Sequence, residues 1–324
     1  MLKNSYISSS KMKKFIYRVF LFAGIIAIVF GVWGTMILSM EISAYHRELV
    51  MPDGCDILVC GDSQPEHALD PSVWPRLFNF SRTATAMDQR YMKLLDLYKA
   101  NPDRIKMLLL DISIIKYYAG EGYLSKILHD DGTYDKQFLI HFLHPNANKR
   151  SLEGLSIIFR DALLCKKTKL AWRVLRGKRS YESSIGGRFL SCDKFGFIDN
   201  DEEVRRYAEE LATSAKTGRP NELFLDYLNK IIELAISNKS KVILFATPIH
   251  NELTKHFSKE QLIRFDKDME SLANSKSIHW LNFTDVQLPD DCWRDANHLN
   301  FKGAKEFSEL VKKRIEALEG EVVK

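Results

Sequence analysis

The chain has 324 residues, of which 45% are hydrophobic and 27% charged, and its formal net charge is +5. This composition excludes a wholly disordered or fibrous chain, and the length suits one large domain or two small ones. The charge is concentrated at one end, because residues 1–18 contain five basic and no acidic residues. Once these five are subtracted from the 47 lysines and arginines, residues 41–324 hold 42 basic and 42 acidic residues. We therefore expect no nucleic-acid partner.

A stretch of 22 uncharged, mostly apolar residues follows at 19–40. As a helix it would extend ~33 Å, enough to cross the ~30 Å core of a bilayer. Basic residues before it and Glu41 after it predict a cytoplasmic tail at 1–18, a single-pass membrane anchor at 19–40 and an extracytoplasmic domain at 41–324. The alternative is a cleaved signal peptide, but the apolar stretch is long for one and no A-x-A site follows it.

Alternating strands and helices are predicted along the rest of the chain. Strands are expected at 56–60, 77–80, 105–112, 241–247 and 278–283, and helices at 87–99, 221–237, 258–273 and 301–318. Such alternation predicts an α/β fold with a parallel sheet covered on both faces, whose ligands bind at the carboxyl ends of the strands. The pattern is interrupted at about 116–220 by a partly helical insertion. Its 149–194 stretch has an excess of eight basic residues, which indicates either a solvated face or a surface for anions.

Two short motifs lie where the chemistry of such a sheet is expected. Gly61, Asp62 and Ser63 follow the first strand, and Asp295 and His298 precede the last helix. A serine becomes a nucleophile when a histidine removes its proton, and a carboxylate orients that histidine. Each motif alone has a plainer interpretation, a turn that caps a helix or a surface histidine beside a cap. Their order along the chain favours a catalytic pair.

These motifs resemble those of the SGNH (GDSL) hydrolase superfamily, over about 54–115 and 220–318. The resemblance implies a flavodoxin-like three-layer α/β/α domain in which Ser63 is the nucleophile, His298 the general base and Asp295 the orienting acid. The second family block has the form N-x-x-x-x-G and donates a backbone N–H to the oxyanion. Here it begins at Asn79 and places Ala84 at the glycine position, which keeps the N–H.

The third family block brings an asparagine after a strand, and this chain has none there. Ser113, Arg82 and an element of the insertion are candidates to replace that oxyanion donor. His250, which follows the fourth strand, either lines the substrate pocket or is an ordinary loop histidine. Asp111, at the end of the third strand, either orients a loop or Arg82, or caps a helix. Neither a metal site nor a cofactor is predicted, since the histidines lack a paired spacing with carboxylates.

A single anchor followed by such a domain also resembles the proteins of alginate O-acetylation and of lipoteichoic acid D-alanylation. We therefore expect a membrane-tethered serine esterase or O-acyltransferase in the bacterial periplasm or at the cell surface. Its expected partners are the membrane, a cell-surface polysaccharide or acylated glycan, and an acyl-shuttling membrane protein. The alternative function is a catalytically degenerate SGNH fold that binds a surface polymer or a membrane partner.

Overall fold

A computed structural model describes most of the chain, namely residues 9–83, 85–118, 176, 187–192, 201–214, 222–276 and 278–321. The chain divides into two compact units. The first consists of 1–45 and 150–183, and the second of 46–149 and 184–324. Most of the basic 149–194 stretch lies outside the described residues.

The first unit contains most of one long helix, α1, which runs from Ser9 to Glu48. Its Met12–Glu48 part is the one described segment long and apolar enough to cross a membrane, judged by length and composition alone. The helix is longer at both ends than the apolar stretch 19–40. No proline interrupts it, and the polar residues that flank the apolar stretch are compatible with a helix.

The second unit is built on a five-stranded sheet in the order β2-β1-β3-β4-β5, with all neighbours parallel. This is the flavodoxin-like strand order. The strands are β1 (Ile57–Cys60), β2 (Leu77–Asn79), β3 (Met107–Asp111), β4 (Lys241–Ala246) and β5 (His279–Asn282). A separate antiparallel hairpin joins β6 (Trp293–Asp295) to β7 (His298–Leu299).

Helices connect these strands. They are α2 (Ser63–Ala68), α3 (Met87–Ala100), α4 (Ile114–Tyr118), α5 (Asp201–Ser214), α6 (Glu222–Ser237), α7 (Asn251–Thr254), α8 (Lys259–Lys276) and α9 (Phe301–Glu321). A short 3-10 turn, Asp290–Cys292, precedes the hairpin.

Both faces of the sheet are buried, as expected for a parallel sheet between helices. On one face, alternate strand residues such as Val59, Leu109 and Phe245 form a core with Phe307 and Val311 of α9. The side chains between them point the other way and are equally buried, and α6 packs against β4 and α3. The domain is therefore a three-layer α/β structure.

All five strands of the main sheet and the four long helices predicted from periodicity are confirmed, with ends that differ by at most three residues. The short helices and the β6–β7 hairpin were not predicted from the sequence. A hairpin whose second strand has two residues has no detectable alternation of polar and apolar side chains. The Asp295–His298 motif lies within that hairpin.

Helix α9 packs closely against the 3-10 turn at Gly303. A β-carbon at this position would lie 2.2 Å from the carbonyl oxygen of Cys292, so only glycine fits without a shift of the backbone. Gly320, near the end of the same helix, has no atom within 4 Å of an added β-carbon.

This difference predicts opposite effects of one substitution at two positions of one helix. We expect Gly303→Ala to lower the free energy of unfolding by about 1–3 kcal/mol, because overpacking outweighs the gain in helix propensity. Gly320→Ala, the matched control, should be neutral or stabilise by up to about 1 kcal/mol. Thermal unfolding of the full chain in detergent measures both. Equal unfolding midpoints for the two variants would contradict the prediction.

Candidate active site

The two sequence motifs meet at the carboxyl edge of the sheet. Strand β1 ends at Cys60, and a two-residue turn leads to Ser63, the first residue of α2. The turn requires glycine because a β-carbon on Gly61 would lie 2.2 Å from Pro65 Cγ and 2.8 Å from Asp111 Cβ. Although far away in sequence, the β6–β7 hairpin brings Asp295 and His298 to the same place.

Ser63, His298 and Asp295 form a continuous hydrogen-bonded chain. Ser63 Oγ lies 2.7 Å from His298 Nε2. On the other side of the ring, His298 Nδ1 lies 2.9 Å and 3.0 Å from the two carboxylate oxygens of Asp295. When Nδ1–H donates to this carboxylate, Nε2 is the acceptor for the serine hydroxyl, which is the arrangement a general base requires.

The carboxylate of Asp295 is held by the hairpin itself. Its Oδ1 accepts hydrogen bonds from the backbone N–H groups of Asn297 and His298, each at 2.9 Å. Burial alone would raise the pKa of Asp295, but the hydrogen bond and the charge of His298, with these backbone donors, lower it. The residue therefore carries its negative charge at neutral pH and can stabilise a protonated His298.

Side-chain hydrogen bonds fix the hairpin against α2, the 3-10 turn and the start of α9. Gln64 Nε2 donates to Asn297 Oδ1 at 2.7 Å, which ties the residue after the serine to the residue before the histidine. Asn300 Nδ2 donates to the carbonyl of Asp291, and Asn300 Oδ1 accepts from the N–H of Gly303. The histidine is thus held both by its turn and by the start of α9.

Asn79, the last residue of β2, anchors helix α2 through side-chain hydrogen bonds. Its Nδ2 donates to the carbonyls of Pro65 and Leu69 at 2.7 Å and 2.9 Å, and its Oδ1 accepts from the N–H of Ser81. Asn79 begins the second block of the family pattern, so in this structure the residue supports the helix of the serine.

A cluster of buried charges lies directly behind Ser63. Asp62 caps α2 by accepting from the N–H of Gln64 at 2.8 Å, and its other oxygen lies 2.6 Å from Lys116 Nζ. Arg90 reaches both Asp62 and Asp111, at 3.5 Å and 3.6 Å, and donates to the Asp111 carbonyl. The structure therefore pairs Asp111 with Arg90, and the expectation that it orients Arg82 was wrong.

The two carboxyl groups of this cluster titrate in opposite directions. Burial would raise the pKa of Asp62, but the charges of Lys116 and Arg90 outweigh it and lower the pKa to about 2. Burial and the charge of Asp62 raise the pKa of Asp111 to about 8. Asp62 is therefore the member of this cluster that carries the negative charge behind Ser63.

A second histidine, His67, lies one turn after Ser63 on α2. Its ring is 5.5 Å from that of His298, edge to face. His67 Nδ1 donates to the carbonyl of Leu190 at 2.7 Å, and its Nε2 accepts from Arg294 Nη1 at 3.2 Å. Burial, followed by the charge of His298, lowers the pKa of His67 to about 4, so this histidine is neutral at pH 7.

Residues 187–192, which we call the strap, form part of the site although they belong to the predicted insertion. The N–H of Leu190 donates to the carbonyl of Glu66 in α2, and the N–H of Arg188 donates to the carbonyl of Ser81. The N–H of Phe301, at the start of α9, donates to the carbonyl of Cys192. The strap thus contacts both α2, which begins at Ser63, and the start of α9, which follows His298.

The remaining site candidates lie at the same edge with different contacts. The N–H of Arg82 donates to the Gly61 carbonyl, and its guanidinium lies 3.9 Å from Glu66. Ser113 is buried just after β3, where its carbonyl accepts from the N–H of Tyr117. The ring of His250 packs on Trp293 and its backbone N–H donates to the Ala296 carbonyl, so His250 supports the hairpin. Ala84 lies outside the described residues.

Cysteines and other side chains of the types that ligate metal ions occur at several places in the part of the chain that the structure describes. Within it, no group of three or more histidine, cysteine, aspartate or glutamate side chains is arranged to hold a metal ion. The four described cysteines, Cys55, Cys60, Cys192 and Cys292, form no disulfide with one another. Cys165 lies outside the described residues.

Comparisons with known proteins give weak likenesses. No family model matches the chain, and no curated protein matches it. It is similar to the crystal structure of an acylhydrolase candidate from Bacteroides fragilis, with a TM-score of 0.42 and 8% identity over 86% of this chain and 97% of the other. It is also similar to a GDSL-like lipase from Bacteroides thetaiotaomicron, with a TM-score of 0.38 and 9% identity over 81% and 88% of the two chains. At these values, the geometry of the site has to carry the argument about function.

The buried cluster predicts that Lys116 is more important for stability than an exposed lysine in an equally short ion pair. We expect Lys116→Met to lower the free energy of unfolding by about 3–5 kcal/mol, towards the lower end because Arg90 still faces Asp62. Lys230 pairs with Asp226 at the same distance of 2.6 Å, but both side chains are about half exposed. Lys230→Met should therefore cost less than about 1 kcal/mol. Thermal unfolding compares them, and equal losses would contradict the importance of burial.

The lowered pKa of His67 predicts a specific loss of stability in acid. Unfolded His67 takes up a proton near its ordinary pKa of about 6.5, whereas folded His67 resists protonation down to about pH 4. The unfolded state therefore binds more protons between these values, and stability should fall as the pH drops from about 6.5 to 4. In His67→Asn, whose amide can still donate to Leu190, unfolding midpoints should fall less steeply over this window. Parallel curves for the two proteins would contradict the prediction.

Proposed function

We propose that the protein is a serine esterase or O-acyltransferase of the SGNH type, acting on ester bonds through Ser63, His298 and Asp295. The observation that carries this proposal is the 2.7 Å contact of Ser63 Oγ with His298 Nε2, backed by Asp295 at 2.9 Å from Nδ1. Residues 235 positions apart form this contact, and a cap or a surface histidine would not require it. The position at the carboxyl edge of a parallel sheet supports it further.

The reaction proceeds in two steps in this proposal. Ser63 Oγ attacks the ester carbonyl carbon while His298 Nε2 takes its proton, and Asp295 stabilises the imidazolium. The tetrahedral intermediate collapses, the C–O bond to the alcohol breaks, and His298 returns the proton to the leaving alkoxide. Water or a sugar hydroxyl then attacks the acyl carbon while His298 takes its proton. The bond between that carbon and Ser63 Oγ breaks, and His298 returns the proton to Ser63. Release into water is hydrolysis, and capture by a hydroxyl is transfer.

The developing oxyanion needs hydrogen-bond donors near Ser63. The N–H of Ser63 is at the first position of α2, where no carbonyl within the helix can accept from it. We propose this N–H as one donor and the N–H of Ala84 as another. Arg82 and Ser113 remain candidates to replace the asparagine of the third family block, since both lie at the same edge.

The amino-terminal helix supports a proposal about the substrate and its location. A long apolar helix near a basic amino terminus supports a single-pass anchor with a cytoplasmic tail, and hence an extracytoplasmic site. A tethered enzyme there meets the polymers of the cell envelope, so we propose an acylated envelope polysaccharide or glycan as the substrate. An acyl-shuttling membrane protein would supply the acyl group if the reaction is transfer.

The test is active-site labelling and ester turnover by the full chain in detergent. We expect a fluorophosphonate to label the wild type but not Ser63→Ala, and we expect Asp295→Asn to lower kcat for p-nitrophenyl acetate by about 10⁴-fold, because the histidine loses its orienting charge. Mass spectrometry with an added oligosaccharide distinguishes an acylated product from free acetate. Transfer and hydrolysis would thereby be separated.

Ser275→Ala is the matched control, since this exposed serine near the end of α8 donates its hydroxyl to the carbonyl of Leu272, its one hydrogen-bond partner among the described residues. It should keep full labelling. Labelling of Ser63→Ala at the wild-type level, or wild-type turnover by His298→Ala, would contradict catalysis by this triad. Such results would favour the degenerate fold that only binds a surface polymer.

A further inference from the structure

Arg294 lies beside the triad, and its charge is only partly compensated. It is the residue before Asp295 in strand β6, and its side chain is 42% exposed. Its Nε lies 3.8 Å from Asp295 Oδ2, and its Nη1 donates to His67 Nε2 at 3.2 Å. Among the described residues, no acceptor lies within hydrogen-bond distance of Nη2. The guanidinium is thus held in place on one side and open to solvent on the other.

The partners that hold Arg294 leave its charge available. His67 is neutral at pH 7, so it accepts a hydrogen bond but supplies no negative charge. Asp295 does supply one, but both of its oxygens also contact His298 Nδ1, at 2.9 Å and 3.0 Å. When His298 takes the serine proton during the reaction, Asp295 stabilises that new positive charge. The negative charge of Asp295 then compensates the positive charge of Arg294 less than it does in the resting site.

The orientation of Arg294 is set by α2, the helix that starts at Ser63. His67 is four residues after Ser63 and therefore lies on the same face of that helix. Its Nδ1 is fixed by the Leu190 carbonyl of the strap, so the ring presents Nε2 to the arginine. The half-exposed guanidinium is consequently linked to the Ser63 hydroxyl through the neighbouring rings of His67 and His298.

We propose that Arg294 forms a subsite for an anionic group of the substrate, a carboxylate or a phosphate, beside the ester that Ser63 attacks. The proposal rests on the proposed function, because it assigns substrate preference to the same site. A planar guanidinium matches the two oxygens of such groups, and hydrogen bonds to a charged acceptor are about twice as strong as neutral ones. The preferred substrate is therefore an ester that also carries a negatively charged group near its acyl group.

The first test compares esters that differ only in charge. We would measure kcat/KM of the full chain in detergent for 4-acetoxybenzoate and for its neutral methyl ester, and do the same for 4-acetoxyphenyl phosphate and its neutral dimethyl ester. For each pair, we divide kcat/KM for the anionic ester by kcat/KM for the neutral ester. We expect this ratio to be about tenfold or more lower in Arg294→Gln than in the wild type for at least one pair. The pair that responds identifies carboxylate or phosphate as the group. Arg294→Lys should recover part of the ratio.

Arg264→Gln is the matched control, since Arg264 is an exposed arginine on α8 that pairs with Asp268. Its ratios should equal those of the wild type. An equal fall for anionic and neutral esters in Arg294→Gln would overturn the subsite, because it would mean that Arg294 acts only by positioning Asp295.

A binding measurement keeps the subsite testable without turnover. The amide 4-acetamidobenzoate and the corresponding phosphate, 4-acetamidophenyl phosphate, cannot be cleaved as esters, and ligand-observed NMR can detect their weak binding to the full chain. We expect at least one of them to bind the wild type and to lose binding in Arg294→Gln. Equal binding by both proteins, or no binding of either probe by the wild type, would overturn the subsite. A wild type that binds a probe but cleaves no ester would instead overturn the proposed function and leave the subsite standing.

Discussion

The structure of the site depends on a negative charge that is buried one residue before Ser63. Asp62 caps α2 and would be costly to bury without a partner, so Lys116 and Arg90 must approach it from α4 and α3. This requirement brings together the segments that follow β1, β2 and β3 at the carboxyl edge of the sheet. Ser63 is placed by the same constraint, because the residue that caps its helix cannot move without breaking the ion pair.

The histidine side of the site is held by different forces. Its hairpin is too short to be stable alone, since an isolated two-stranded hairpin is at best marginally stable in water. Hydrogen bonds from Gln64 to Asn297 and from Asn300 to the 3-10 turn fix the hairpin. Close packing at Gly303 sets the distance between α9 and the 3-10 turn that precedes the hairpin. The triad is therefore the meeting point of a half positioned by charge and a half positioned by hydrogen bonds and packing.

Strands and helices with a repeated residue pattern could be predicted from the sequence, whereas single long-range contacts between side chains could not. The runs 105–112 and 241–247 are apolar on both faces, and a parallel sheet follows from that. Arg90 and Lys116 carry no such signal, because a cation in a helix is usually solvated and only the fold reveals which carboxylate it meets. The site role of the strap was also missed, since its contacts are made by backbone groups. The two motifs were found because Ser63 and His298 flank recognisable elements.

The sequence separation within the triad also has a consequence during synthesis. Ser63 and its helix emerge 235 residues before His298, and at about 5–20 residues per second this interval is roughly 10–50 s. Throughout it Ser63 has no histidine partner, so a nascent chain lacks the Ser63–His298 contact. That contact forms only after the β6–β7 hairpin has docked against α2. The proposed activity is therefore withheld from the nascent chain until the hairpin residues have been synthesised.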